Sequence, residues 1–191
     1  MARPPSRLET EIKLRVGSVK AAGRLLRSQG WRVAKRRVFE SNTVLDTADF
    51  VLRRKANLLR LRQAGDRYIL TLKGPPRAGR HKSRAEFESE FDDPAAMRAI
   101  LGGLGFTPVF RYEKYRTEYS KPGQPGLILA DETPIGDFLE LEGTPGWIDR
   151  TARELGYSPA DYITASYSSL YVAHCQSKGL TPRHMVFSGR K

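Results

Sequence analysis

Cysteine, histidine and long apolar runs are what this sequence has least of. Among its 191 residues there is one Cys and there are three His. The lone Cys175 excludes an intramolecular disulfide, and His81, His174 and His184 are too scattered to form a zinc-type cluster. No stretch approaches the roughly 18 uninterrupted apolar residues that a helix needs to cross a bilayer, and Met1 to Arg7 lacks the apolar run of a secretory leader. Together these absences predict a cytoplasmic chain without a membrane role. Negative charge is also scarce, with 21 acidic against 33 basic residues and a net charge of +12. That balance directs attention to anionic partners, whether nucleic acid, an acidic membrane surface or a highly charged small molecule.

No internal repeat, low-complexity block or long linker divides the chain, so one domain over residues 1–176 is expected, followed by a loose basic tail at 177–191. Helix starts are marked by Ser18 before the apolar positions Val19, Ala22, Leu25 and Leu26, by Asp93-Pro94 and by Thr144-Pro145, with a further apolar stripe from Thr164 to Ser177. Gly30 ends the first. Most of the rest alternates with period two, in segments 8–16, 38–46, 58–63, 67–73, 82–91, 114–120, 127–131 and 138–142. Short, hairpin-linked strands of this kind predict an α+β fold, an antiparallel sheet with helices packed outside.

Side chains two apart on a strand share a face, about 6.6 to 7 Å apart. Glu9, Glu11 and Lys13 therefore point one way, and Leu8, Thr10, Ile12 and Leu14 the other, towards the helices. Arg60 pairs with Arg62 in the same manner, Thr71 with Lys73, Glu86 with Glu88, Lys114 with Arg116 and Glu140 with Glu142. A solvated polar face is the ordinary reading of one such strand. Here, however, like charges recur side by side on strand after strand, which is repulsive unless opposite charge lies between them. Glu9, Glu11, Glu140 and Glu142 offer the hard oxygen donors that Mg²⁺ or Mn²⁺ takes, and the basic pairs suit a run of phosphates. For these groups to face one another, the sheet must curl into a barrel.

The run Glu9-Thr10-Glu11-Ile12-Lys13 resembles the ExExK signature of the CYTH superfamily, the triphosphate tunnel metalloenzymes. The resemblance continues in order through Leu58-Leu59-Arg60-Leu61-Arg62, Leu70-Thr71-Leu72-Lys73-Gly74-Pro75, Arg84-Ala85-Glu86-Phe87-Glu88, Glu113-Lys114-Tyr115-Arg116, Asp131-Glu132 and Gly136 to Gly143. It implies a closed eight-stranded antiparallel β-barrel, a triphosphate tunnel. By the same resemblance Glu9, Glu11, Glu140 and Glu142 are metal ligands assisted by Asp131 and Glu88. Lys13, Arg60, Arg62, Lys73, Lys114 and Arg116 hold the phosphates. From the site itself, Lys13 and Glu140 are each expected to be needed for turnover, and Lys73 or one of the tunnel carboxylates to align water. Ala130 stands where the family has Leu and is expected to point away from the tunnel. The layout is most similar to the class IV adenylate cyclase branch, which makes cyclic AMP and pyrophosphate from ATP, while similar sequences include inorganic and thiamine triphosphatases.

Other classes fit less well. A module that only binds polyphosphate has little use for so many carboxylates. Nucleic acid is disfavoured because the basic runs 32–37 and 77–84 carry no interleaved aromatic platforms. The histidines, Cys175 and the tyrosines at 157, 162, 167 and 171 read as packing or surface residues. A small-molecule triphosphate is the expected partner, with the oligomeric state left open, a homodimer included.

Overall fold

The computed structural model describes residues 7–189. The stretch 1–6, which carries most of the leader expectation, and tail residues Arg190 and Lys191 lie outside the described residues. Eight strands form the body: β1 (Arg7–Val16), β2 (Arg32–Asp46), β3 (Leu58–Ala64), β4 (Arg67–Lys73), β5 (Lys82–Phe91), β6 (Thr107–Ser120), β7 (Leu127–Thr133) and β8 (Gly136–Glu142). All pair antiparallel and close into a barrel in the order β1-β5-β4-β3-β2-β6-β7-β8. Around it lie α1 (Val19–Ser28), α2 (Val51–Arg54), α3 (Pro94–Gly103), α4 (Pro145–Glu154) and α5 (Tyr167–Ser177). The expected α+β barrel with helices outside is the observed fold.

The strand alternation sorts side chains between tunnel and jacket. On β1, Ile12 and Leu14 turn outward and are fully buried with Ile128, Leu139 and Leu141 beneath Leu26, Trp147 and Ile148. Ala130 belongs to this outer core, as anticipated. Leu8 does not follow its neighbours: it is 49% exposed, with only the small Ala85 opposite it on β5. Trp147 packs so close to the chain that a Cβ on Gly126 or Gly143 would meet its ring at 2.5 or 2.6 Å.

The marked helix starts hold. Ser18 accepts hydrogen bonds from the amides of Lys20 and Ala21, and Asp93 from those of Ala95 and Ala96. Gly30, at φ +87, ends the turn after α1, a left-handed conformation open to glycine at little cost. Two strands begin several residues earlier than their alternation suggested, β2 at Arg32 rather than Val38 and β6 at Thr107 rather than Lys114, while β1 and β8 start within two residues of it. Residues 32–37 are all exposed, so burial leaves no period-two signature there. The short α2 was not foreseen. The buried Asp46 carboxylate gathers the amides of Thr47, Leu52 and Arg53 at 2.8 to 2.9 Å and fixes it in place.

The segment after α5, expected as a loose tail, is in part docked. Met185 is fully buried and trades backbone hydrogen bonds with β6, its amide to Arg111 O at 3.0 Å and its carbonyl to the Glu113 amide at 2.9 Å. It covers the stretch of β6 that β7, which pairs only with 115–119, leaves open. The reason is a buried apolar side chain that the basic composition of the tail concealed. Among the described residues no helix is long and apolar enough to cross a membrane.

Candidate functional site

The connections 47–57 and 74–81 hang at the same end of the barrel, since β2 leads into β3 there and β4 into β5. From that end a cavity runs inward, lined by eight basic side chains against three carboxylates. The basic set is Lys13, Arg60, Arg62, Lys73, Lys82, Arg84, Lys114 and Arg116; the acidic set is Glu9, Glu11 and Glu140. Ser166, Tyr167 and Ser168, at the start of α5, complete the wall with Tyr112.

Like-charged pairs recur along the strands, and the pairing register sets many of them against opposite charges on the neighbouring strand. Glu9 stands opposite Arg84 and Glu11 opposite Lys82. Lys13 faces Glu140, Lys73 faces Glu86, Glu40 faces Lys114, and Arg116 faces Asp131. Part of the compensation that the strand repulsion called for therefore comes from the protein itself.

Contacts follow that register. Lys13 Nζ lies 3.1 Å from Glu11 Oε1 and 3.3 Å from Glu140 Oε1, and Lys82 Nζ reaches the same Glu11 oxygen at 2.9 Å. Lys73 Nζ bridges Glu9 at 2.5 Å and Glu86 at 3.1 Å. Arg116 grips both oxygens of Asp131, at 2.7 and 2.6 Å, and also contacts Glu140. Asp131 takes further hydrogen bonds from Lys114 at 2.9 Å and the Tyr167 hydroxyl at 2.7 Å. The Tyr167 ring lies 5.2 Å from the ammonium groups of both Lys13 and Lys114, within cation–π range.

These neighbours set the charge states. Burial alone would lift the Glu11 and Glu140 carboxyls, but the Lys13 ammonium, joined by Lys82 for one and Arg116 for the other, holds both well below the usual range. Burial would likewise lower Lys13, and the same two carboxylates outweigh it and raise it. Glu86 goes the other way: burial, then a hydrogen bond shared with Glu9, push it up to about 8.

The structure brings most of the expected residues together. Glu9, Glu11, Glu140, Lys13, Arg60, Arg62, Lys73, Lys114 and Arg116 all line one cavity. Glu142 continues the Glu140 face and stands opposite Glu11 on β1. Glu88 is set apart, 43% exposed and engaged by Thr71 at 2.8 Å and Arg60 at 3.4 Å. Asp131 is wholly buried with its oxygens taken by Arg116, Lys114 and Tyr167, which places it as an organiser of cations.

Among the described residues no three acidic, His or Cys side chains converge into a ready metal cage. The donor set nonetheless fits Mg²⁺ or Mn²⁺, because such ions are commonly held by one or two carboxylates together with substrate phosphates and water. Glu11 and Glu140 already share one cation, the Lys13 ammonium. Among the described residues three buried side-chain polar atoms, Glu40 Oε2, Asn42 Nδ2 and Arg60 Nε, have no hydrogen-bond partner, a condition that a ligand or water relieves.

Sequence reasoning missed several wall residues and two of their buried neighbours. The neighbours, Glu40 and Asn42, contact Lys114 and Arg62 from a part of β2 without paired-charge spacing, and Tyr112 of the wall lies before the expected start of β6. Tyr167 arrives on a helix, where strand periodicity gives no signal. Lys82 and Arg84 show the same two-residue spacing as the other basic pairs and could have been found by it. Arg84 donates to two loop carbonyls, Gly74 O at 2.8 Å and Ala56 O at 2.9 Å, and so ties both connections to the cavity wall.

The chain matches the CYTH domain over residues 7–167 and belongs to that family. A protein of Methanocaldococcus jannaschii named "Putative adenylate cyclase" is 30% identical over 135 residues, which cover 71% of this chain and 76% of that protein. The barrel matches the structure of a "putative adenylate cyclase" from Vibrio parahaemolyticus with a TM-score of 0.75, at 20% identity over 87% of this chain and 98% of the other. It also matches a "putative adenylyl cyclase" from Hippeastrum, described as having a dominant triphosphatase activity, with a TM-score of 0.63 at 22% identity over 91% and 97% of the two chains. At such identities the two structures establish the fold.

Proposed function

We propose that this chain is a cytoplasmic, metal-dependent enzyme that holds a linear triphosphate inside the barrel and catalyses an in-line substitution at phosphorus. The observation that carries this reading is the cavity wall, with eight basic side chains against three carboxylates. A surplus of positive charge enclosed by a barrel attracts a compact polyanion more strongly than an open surface does. Arg60, Arg62 and Arg116 present planar forks to phosphate oxygens, and Lys13, Lys73 and Lys114 add compact charges. Glu9, Glu11, Glu140 and Glu142 form the cation-binding side. When bound, a divalent cation supplies neutralisation and polarisation of the phosphoryl oxygens.

Phosphate binding frees lysines from carboxylates: Lys13 and Lys73 exchange Glu11, Glu140, Glu9 and Glu86 for substrate oxygens and hold the reacting group in line. Asp131 keeps Lys114 and Arg116 aimed while this happens. The name of the M. jannaschii relative supports attack by the ribose 3′ oxygen on the α-phosphate, giving cyclic AMP and pyrophosphate. One observation favours attack by water instead. The two tyrosines of the wall have their hydroxyls committed to Arg60 and Asp131 and their rings packed 6.2 Å apart, so recognition is concentrated on phosphate rather than on a base.

Product analysis tests both. Purified protein with ATP or tripolyphosphate and Mg²⁺ or Mn²⁺ yields cyclic AMP with pyrophosphate if it is a cyclase, and orthophosphate if it is a triphosphatase. No product and no metal-dependent triphosphate binding would remove the reading altogether.

A further inference from the structure

Asp149 lies on α4, outside the barrel, and its carboxylate gathers donors from two separate segments. Arg80 Nη2 donates to Oδ2 at 2.9 Å, while His81 Nε2 and the Tyr162 hydroxyl reach Oδ1 at 2.8 and 3.1 Å. Each of those segments joins a strand of the barrel one residue later. Lys82 follows His81, opens β5, and places its ammonium 2.9 Å from Glu11 Oε1. Ile163 follows Tyr162 and is joined to Lys13 by two backbone hydrogen bonds, both 2.9 Å. Lys13 Nζ meets the same Glu11 oxygen at 3.1 Å.

A lysine head sits on a flexible four-carbon stem, so its placement depends on how firmly its backbone is held. Lys82 is the last β5 residue paired to β1, at the end of a ladder where strands open most readily. Behind it lies the connection 74–81, which contains two glycines and two prolines. At its Gly74 end the connection is held to β5 by Gly74 N to Ala85 O and by Arg84, Arg77 N bonds Ser83 O, and at its His81 end the Asp149 contacts tie it to α4.

We propose that Asp149 is a positioning residue: from outside the wall it sets where Lys82 and Lys13 converge on Glu11, and so fixes the spacing of two cations that hold the triphosphate. The inference rests on the triphosphate reading above. It adds a residue that contacts neither substrate nor metal.

The test is a double-mutant cycle with two readouts, tripolyphosphate affinity by calorimetry and amide hydrogen exchange. Asp149→Ala is expected to weaken tripolyphosphate binding about tenfold, as misplacement of a binding group does. Asp149→Asn, which keeps an acceptor for His81 and Tyr162, recovers part of the loss. On a Lys82→Ala background the Asp149→Ala change adds less than about threefold, because residues acting through one another are not additive. Fully multiplicative losses, or wild-type affinity in Asp149→Ala, overturn the proposal. Exchange should rise at 79–84 and 160–165 in Asp149→Ala while β7 and β8 stay protected. If wild type binds no tripolyphosphate, the triphosphate reading fails and exchange alone judges the clasp; unchanged exchange then overturns it.

Discussion

The seam between β7 and β8 and the seam between β4 and β5 use the same alternation, polar inward and apolar outward, yet differ in what lies behind them. Behind the first, Ile128, Ala130, Leu139 and Leu141 are buried under α1 and α4. Behind the second, Leu72 and Phe87 sit opposite each other and remain 40% and 37% exposed. The charged interiors differ in parallel. Glu140 meets two cations, Lys13 and Arg116, whereas Glu9 and Glu86 share the ammonium of Lys73, with Arg60 at the longer distance of 3.9 Å from Glu86. Burial of apolar surface thus stabilises the barrel unevenly, while ladder hydrogen bonds close it all round. The bare seam carries the connection 74–81 and the carboxyl pair that shares charge most loosely, so the adjustable part of the site hangs from the less-jacketed part of the fold.

The largest effects should come from the interior. Glu140→Gln and Lys13→Ala are each expected to lower turnover by about 10²- to 10³-fold, the scale of removing one electrostatic stabiliser. Lys13→Ala carries a second cost. It takes one of two cations from each of Glu11 and Glu140, which keep Lys82 and Arg116, so the stability loss should approach but not exceed the figure of about 3–5 kcal/mol for a fully broken buried pair. Lys73→Ala, on the bare seam, should lose comparable turnover with a smaller stability loss, because Glu9 and Glu86 can retain a proton between them. Turnover and urea midpoints measured on the three variants check this. Equal stability losses for Lys13→Ala and Lys73→Ala would erase the contrast between the seams.

Next come the jackets. Trp147→Ala should destabilise by about 3–5 kcal/mol, the usual cost of emptying a large buried site, and Phe87→Ser by less than about 1 kcal/mol, as for most surface changes. Gly126→Ala falls between them at about 1–3 kcal/mol. Its new methyl would lie 2.5 Å from the Trp147 ring and 2.7 Å from the Glu142 carbonyl, and the latter is backbone that cannot swing away. Denaturant midpoints at constant slope provide the comparison.

These contrasts also show what the sequence made legible. Glu9, Glu11 and Lys13 were readable because a strand has a fixed period and both of its faces are constrained on β1, one by charge and one by Ile12 and Leu14. The exposed start of β2 left no such trace, so its boundary was read late; Glu40 and Asn42 lie inside the stretch read as strand, but one charge beside an amide makes no like-charged pair, and they were missed. Cross-strand register was invisible, since it depends on which strands meet. Repulsion along each strand was therefore taken to demand a ligand alone, although Arg84, Lys82 and Glu86 meet part of that demand from neighbouring strands. Asp149 and Met185 were hidden for a related reason: a lone acidic residue on a helix and a lone Met in a basic tail acquire meaning only from what packs against them.

The smallest predicted effect concerns pH and separates the two carboxyl environments directly. Glu86 has its folded pKa raised to about 8 from an ordinary 4.5, by burial first and then by the hydrogen bond with Glu9, with Lys73 pulling it down without prevailing. Between those values the folded protein holds a proton that the unfolded chain releases, so this group's contribution to stability falls as pH rises from about 4.5 to about 8 and then levels off. Glu11 and Glu140 have depressed pKa values, so their contribution is present above 4.5 and is lost as pH falls below it. Glu86→Gln keeps a donor for Glu9 and removes the titration. Urea unfolding of the metal-free variant across pH 4 to 9 should therefore show a flatter decline on the alkaline side of 4.5 and an unchanged acid limb. An unchanged alkaline slope would mean that Glu86 is ionised in the fold, and that the bare seam holds its charges as firmly as the jacketed one.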